Sequence, residues 1–283
     1  GAPRIIVENI TGARSMVVAD YVYGAEPDGL TLGAISPDLY FAQLLGRKDV
    51  HFDWSRFAWI GTPDRSHHLL YMRTDTPYRS VPEIASAIEP PKCGASGAYS
   101  TAGLLPKLLE KIFGAKFTMV TGFEEGPDVD SAVERGDIQC RVLTISGFFS
   151  HEPYPGWLKS GFIRILLQTG RERDPRLPGA PTIHELMDQY NVPDTSRRLA
   201  EVVLSAALFG RPLVAPPRTP LERVNILREA FLRAVNDPEL QKEAETKNLC
   251  VVPASGAELE NLAREVISQT PDIIEQLRNL SQT

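Results

Sequence analysis

Long apolar runs are absent from this 283-residue chain; the longest, such as Val202-Val203-Leu204-Ser205-Ala206-Ala207-Leu208-Phe209, fall far short of the roughly 20 residues that a membrane-spanning helix needs. Cysteine is scarce. Cys93, Cys140 and Cys250 are the full set, and none sits in a Cys-x-x-Cys or Cys/His metal spacing. Three thiols cannot all pair, and the plain reading is small buried residues. If Cys93 and Cys140 fall on neighbouring strands of one sheet, a disulfide is geometrically possible in an oxidising compartment. Histidine is limited to His51, His67, His68, His151 and His184, with no ligand-like i, i+4 pair, so no metal site and no catalytic histidine motif is expected. An excess of positive charge is missing too. The formal net charge is −6, with both signs interspersed along the chain, and nothing draws the protein toward phosphate backbones or anionic lipid. No nucleic-acid partner is expected. The turn Gly94-Ala95-Ser96-Gly97 lacks the spacing of a Gly-x-Ser-x-Gly nucleophile elbow and the Lys-Ser/Thr ending of a P-loop. No catalytic residue and no cofactor is expected. There is no internal repeat, low-complexity tract or long linker.

What is present is an alternation of short β-rich runs and amphipathic stretches, the pattern of an α/β protein with largely parallel sheets. The expected strands are Arg4–Glu8, Leu30–Ile35, Ala58–Gly61, Leu69–Met72, Lys116–Thr121, Ile138–Ile145, Ile163–Gln168 and Pro212–Ala215. Most are nearly continuous in apolar character, as strands covered on both faces should be. The length is too great for one ordinary core and fits two lobes of roughly 100–150 residues each. Crossings between lobes are expected at Leu69–Arg73 and Leu204–Arg211. They divide the chain into a discontinuous lobe of residues 1–73 and 205–283 and a second lobe of residues 74–204.

Helix starts are marked by Ser/Thr-x-x-Glu capping boxes: Ser80 with Glu83, Thr182 with Glu185, Thr219 with Glu222, and Ser255 with Glu258. The third reads most strongly, because Pro220 suits the first helical position and Leu221, Val224, Leu227, Phe231 and Ala234 recur at helical spacing. That helix must stop before Asn236-Asp237-Pro238, and Pro271 should kink or restart the last one.

The segment Cys93-Gly94-Ala95-Ser96-Gly97-Ala98-Tyr99-Ser100-Thr101 reads as strand, turn and helix start. Amides and hydroxyls near Ser96, Gly97, Ser100 and Thr101 would meet a carboxylate there, since orphan amides and the helix dipole favour negative charge. The competing reading is an ordinary capped turn. Arg141, Arg211 and Arg14 are candidates for a guanidinium clamp on a carboxylate; surface ion pairing is the alternative for each. Phe148, Phe149 and Trp157 can cover a cleft or fill a core.

Several short motifs occur in a fixed order: Val7-Glu8-Asn9 with Thr11-Gly12-Ala13, then Pro27-Asp28-Gly29-Leu30-Thr31-Leu32, Ser80-Val81-Pro82-Glu83-Ile84 and Cys93–Gly97. Gly122-Phe123-Glu124-Glu125-Gly126-Pro127, Leu177-Pro178-Gly179-Ala180-Pro181-Thr182 and Ala215–Pro220 follow. Together they resemble the extracytoplasmic solute-binding subunit of tripartite tricarboxylate transporters, the Bug receptors, over nearly the whole chain. The resemblance implies a two-lobed periplasmic-binding-protein-like fold of type II, with mostly parallel sheets flanked by helices. It implies a monomeric, periplasmic, non-catalytic protein that closes on a small organic acid and hands it to the membrane subunits of a transporter. It also implies ligand contacts from Thr11, Gly12 and Arg14 in the first turn, from Ser96–Thr101, and from the loop at Phe123. Where the family usually has Tyr-Lys-Gly, this chain has Phe123 and two glutamates; its first turn is also poorer in glycine. A strand and helix precede Val-Glu-Asn in that family, so about 30 further residues, the size of a strand-helix unit, and a secretory leader are expected upstream of Gly1. The rival class is an enzyme on the same bilobal fold using His67 or His68 with a nearby acid.

Overall fold

The computed structural model describes residues 4–12, 15–123 and 126–282. Their order is α1 (Met16–Gly24), β1 (Gly33–Ala34), α2 (Tyr40–Leu44), β2 (Ala58–Thr62), β3 (His68–Arg73), α3 (Val81–Ala85), β4 (Lys92–Ala95), α4 (Thr101–Phe113), β5 (Thr118–Thr121), α5 (Gly126–Arg135), β6 (Cys140–Thr144), α6 (Ile145–Ser150), α7 (Tyr154–Ser160) and β7 (Ile163–Gln168). Then follow α8 (Ile183–Gln189), α9 (Asp194–Leu204), α10 (Ala206–Phe209), β8 (Leu213–Ala215), α11 (Leu221–Val235), α12 (Pro238–Thr246), β9 (Ala254–Ser255), α13 (Gly256–Ile267) and α14 (Pro271–Gln282).

The strands form a four-stranded sheet, β1-β8-β2-β9, and a five-stranded sheet, β5-β4-β6-β3-β7. The α/β class and the two-lobed arrangement stand, but the largely parallel pairing does not. Only β5-β4-β6 is parallel; β3 runs against both β6 and β7, and every pair of the smaller sheet is antiparallel. Helices on both faces make a strand continuously apolar whichever way its neighbours run, so that pattern does not report direction. Arg4–Glu8 forms no strand: Ile5, Ile6 and Val7 are 80, 66 and 82 % exposed, and no described strand pairs with them. The run at Leu30–Ile35 shrinks to β1, with Leu30 and Leu32 exposed.

The chain passes from one sheet to the other between β2 and β3, before His68 and not at Leu69–Arg73 as expected, since all of β3 pairs within the five-stranded sheet, and it returns through α9 and α10 to β8. The two passages touch. Thr62 Oγ1 donates to the Asp64 carbonyl at 3.1 Å and accepts from the Arg211 amide at 2.9 Å. Gly210 has φ +64°, and a Cβ there would overlap the Asp64 carbonyl oxygen, so the approach is reserved for glycine. The largest apolar cluster is continuous across the two sheets, from Trp59 and Val214 to Leu70, Cys93 and Cys140. Its centre is aromatic, with Trp54 against Trp59 at 4.8 Å between ring centroids and Phe209 against both. Cys93 and Cys140 are register partners on β4 and β6, both buried free thiols; burial pushes the Cys140 thiol well up.

Two capping boxes are complete, Thr182 with Glu185 and Ser255 with Glu258. Ser80 instead donates to Glu83 Oε1 at 3.1 Å, while Glu83 Oε2 accepts the Arg79 amide at 2.8 Å. The box at Thr219 does not form. Arg218 adopts a left-handed φ of 66°, which turns the Thr219 hydroxyl back onto the Pro216 carbonyl at 2.8 Å, and Pro220 becomes the N-cap of α11. Asn236 ends α11 and Pro271 begins α14, as the prolines require.

Candidate functional site

Strand β4 ends at Ala95, and the turn that follows delivers α4. Ser100 is its N-cap: the hydroxyl accepts the Gly103 amide at 3.0 Å and donates to the Gly97 carbonyl at 2.7 Å. The turn folds tightly over the first helical turn, since a Cβ on Gly103 would lie 2.5 Å from the Gly97 oxygen and 2.7 Å from the Ala98 oxygen. Ser100 and Thr101 are buried, Gly97 half-buried and Ser96 exposed. The Ser100 hydroxyl is therefore engaged within its own turn. The Thr101 amide donates to Asp38 Oδ2 at 3.3 Å, which places a carboxylate where the helix dipole favours negative charge.

Asp38 reaches this position from the other sheet, on the segment between β1 and α2. Its Oδ1 accepts the Ser36 hydroxyl at 2.7 Å, and the Ser36 amide donates to Ser15 Oγ at 3.1 Å. The Ser15 amide donates in turn to the Gly12 carbonyl at 3.2 Å. Gly12 has φ +128° and Ser15 φ 74°, so the first turn is held by glycine freedom at one end and a left-handed serine at the other. Thr11 and Gly12 are exposed. Ser15, Ser36, Asp38 and Thr101 thus form one polar path between the two sequence-identified turns. Arg14 lies outside the described residues. Sequence reasoning missed Ser36 and Asp38; the available signal was an acid and a hydroxyl around Pro37, immediately after an apolar run.

His68 begins β3. Its amide donates to Thr169 Oγ1 at 2.8 Å, and its Nδ1 is shielded from solvent without a hydrogen-bond partner. Burial pushes its pKa down to about 4, with the nearby negative charge of Asp38 pulling the other way. The ring is neutral near pH 7. His67 is also held below the usual range, by burial first and then by His184 and Arg65.

Arg141, Phe123 and Arg211 are placed elsewhere. Arg141 pairs with Asp130 and donates to the Tyr154 hydroxyl at 2.9 Å; that hydroxyl donates to Asp130 Oδ2 at 2.6 Å. Together they border a cavity of about 530 Å³ between α5, β6 and α7. Phe123 packs into the adjoining apolar cluster, facing Gly94. Arg211 is exposed beside the passages between the sheets and borders a separate cavity of about 450 Å³. Phe148 and Trp157 are buried in the five-stranded lobe, with Phe149 packed against them. Among the described residues no group of three or more His, Cys, Asp or Glu side chains is placed to hold a metal ion, and no helix is long and apolar enough to cross a membrane.

Comparison with solved structures gives the same fold. MatC from Rhodopseudomonas palustris, solved with bound malate, matches with a TM-score of 0.69 at 21 % identity, covering 97 % of this chain and 86 % of that one. A second R. palustris protein, solved with adipate, matches at 0.66 and 19 %, covering 98 % and 86 %. The periplasmic binding protein BugD matches at 0.70 and 17 %, covering 97 % and 86 %. A UPF0065 protein encoded in the gbd 5′ region of Cupriavidus necator is 23 % identical over 285 residues, spanning 96 % of this chain and 77 % of its own length. The model of the tripartite tricarboxylate transporter family receptor matches residues 2–280. A match of that extent, on a fold shared with these receptors, makes the chain a member of the tripartite tricarboxylate transporter receptor family.

Proposed function

We propose that this chain is an extracytoplasmic solute receptor that captures a small organic acid between its two lobes and delivers it to a tripartite tricarboxylate-type membrane transporter. Family membership supports the reading, as do the malate and adipate held by proteins of the same fold. The observation that carries it is the path Ser15-Ser36-Asp38-Thr101, which sets two polar turns from opposite sheets against each other at the start of α4. The lobes are residues 1–67 with 205–283, and residues 68–204, because β3 pairs with β6 and β7. They close by rotation about the contact of Thr62 and Asp64 with Gly210 and Arg211. The protein works in the periplasm as a monomer, and no bond in the ligand is made or broken.

Ligand carboxylate oxygens would meet amides and hydroxyls of the Ser96–Thr101 turn and of the turn at Thr11 and Gly12, beside the Asp38 carboxylate, while neutral His68 reads a donor group on the ligand. A thermal-shift screen of mono-, di- and tricarboxylates tests this. An acid at about 100 times its dissociation constant adds roughly 2.7 kcal/mol to the folded state. A broad panel without a shift would count against the receptor.

A second reading, an enzyme on the same bilobal fold using His67 or His68 with a nearby acid, is motivated by the negative charge of Asp38 acting on His68. Turnover of a bound acid would support it; stoichiometric recovery of the unchanged acid would favour the receptor.

A further inference from the structure

We propose that the cavity at the contact between the two inter-sheet passages is a second, regulatory ligand site for a small apolar α-amino acid, taken as the zwitterion. The cavity measures about 450 Å³ and is bordered by Asp64, Ser146, Arg211, Leu240, Ala244 and Leu249.

Asp64 is 8 % exposed. Its Oδ2 accepts the Ser146 hydroxyl at 3.0 Å, but Oδ1 is shielded from solvent and has no hydrogen-bond partner. A buried carboxylate oxygen without a donor is costly. Burial holds the carboxyl above the usual range, with Ser146, Arg211 and Arg176 opposing. An ammonium group in the cavity supplies a compensating charge to the Asp64 carboxylate.

Arg211 supplies the complementary end. Its amide is fixed to Thr62 Oγ1 at 2.9 Å, while no ion pair or side-chain hydrogen bond of its guanidinium exists among the described residues. The other charges at the rim, Lys247 and Glu243, neutralise each other at 2.5 Å. A free guanidinium is matched to a carboxylate. The lining also holds apolar side chains, with Leu240 and Leu249 exposed at 39 and 48 % and Ala244 buried. A carboxylate, a guanidinium and an apolar wall in one cavity are the three elements that recognise ammonium, carboxylate and aliphatic or aromatic side chain. Asp64 lies on one inter-sheet passage and Arg211 on the other, so an occupant that ties them together biases the angle between the lobes.

The inference does not rest on the receptor reading, because the cavity includes none of the residues of the two polar turns. The test is calorimetric titration of the full chain with L-leucine, L-valine and L-phenylalanine, and with leucinamide and isocaproate, which lack the carboxylate and the ammonium group. The expected result is saturable binding of at least one amino acid, with leucinamide and isocaproate at least tenfold weaker than leucine if leucine is the binder. Arg211→Gln, and Ala244→Trp, which fills the apolar end, should each weaken that binding at least tenfold and leave the response to carboxylic acids in the thermal-shift screen in place. No heat with any of the three amino acids overturns the proposal. So does amino-acid binding that both variants leave unchanged, or isocaproate binding as tightly as leucine, since either would move the site to the cleft.

Discussion

The Asp38 carboxylate accepts the amide hydrogen of Thr101 at 3.3 Å, across 63 residues of chain and from one sheet to the other. A helix start suited to an anion is therefore already met by an acid of this protein, itself oriented by the Ser36 hydroxyl at 2.7 Å. A ligand carboxylate binding beside it must tolerate that charge.

Asp38→Asn removes the charge and keeps the shape. It should cost about 0.3–1 kcal/mol of stability through the lost charge at the helix terminus and tighten binding of a dicarboxylate by roughly threefold to tenfold, since like charges a few ångströms apart repel. Urea denaturation and calorimetry measure the two effects. Weaker acid binding in this variant would show that Asp38 contacts the ligand as an acceptor.

Replacing Gly210 by alanine should destabilise the fold by more than about 2 kcal/mol, because the position combines a left-handed φ of 64° with direct overlap on the Asp64 carbonyl. Thermal unfolding gives the number. A change below 0.5 kcal/mol would mean that the two passages separate easily.

His68 makes stability depend on pH with a definite sign. Its folded pKa, about 4, lies below the unfolded value near 6.5, so the unfolded chain binds the proton more tightly. The contribution is fully present above about pH 6.5 and is lost as pH falls toward 4, by at most about 3 kcal/mol. His68→Gln should flatten the stability curve between those values. An unchanged slope would assign the dependence to other groups.

The Arg141 and Asp130 side chains are 14 and 11 % exposed and share Tyr154. Arg141→Met strands Asp130 and should cost about 3–5 kcal/mol, with affinity for organic acids unchanged. A loss of affinity for organic acids in a folded Arg141→Lys protein would restore the arginine to the binding site.

Some of this was legible in the sequence. Strand β7 has the expected bounds, because its apolar run is cut cleanly by Gly161 and by Thr169-Gly170. The boxes at Thr182 and Ser255 are local chemistry and formed as read. Thr219 failed because the left-handed φ of Arg218 is a tertiary choice that no cap motif encodes. Strand direction was hidden, since burial on both faces looks alike in parallel and antiparallel neighbours. The turn before α4 was found through its glycines and hydroxyls, yet its partner Asp38 was not, because an acid beside Ser36 and Pro37 reads as an ordinary local cap. Arg141 looked like a clamp for the opposite reason: its fixed partners Asp130 and Tyr154 are 11 and 13 residues away in sequence.

The most direct test of the receptor reading is calorimetric titration of the full chain with the acids that shift its unfolding, followed by analysis of the recovered ligand. The account predicts one saturable site per chain and return of the acid chemically unchanged. Conversion of the acid to a product, or no saturable binding of any small mono-, di- or tricarboxylate, would contradict it.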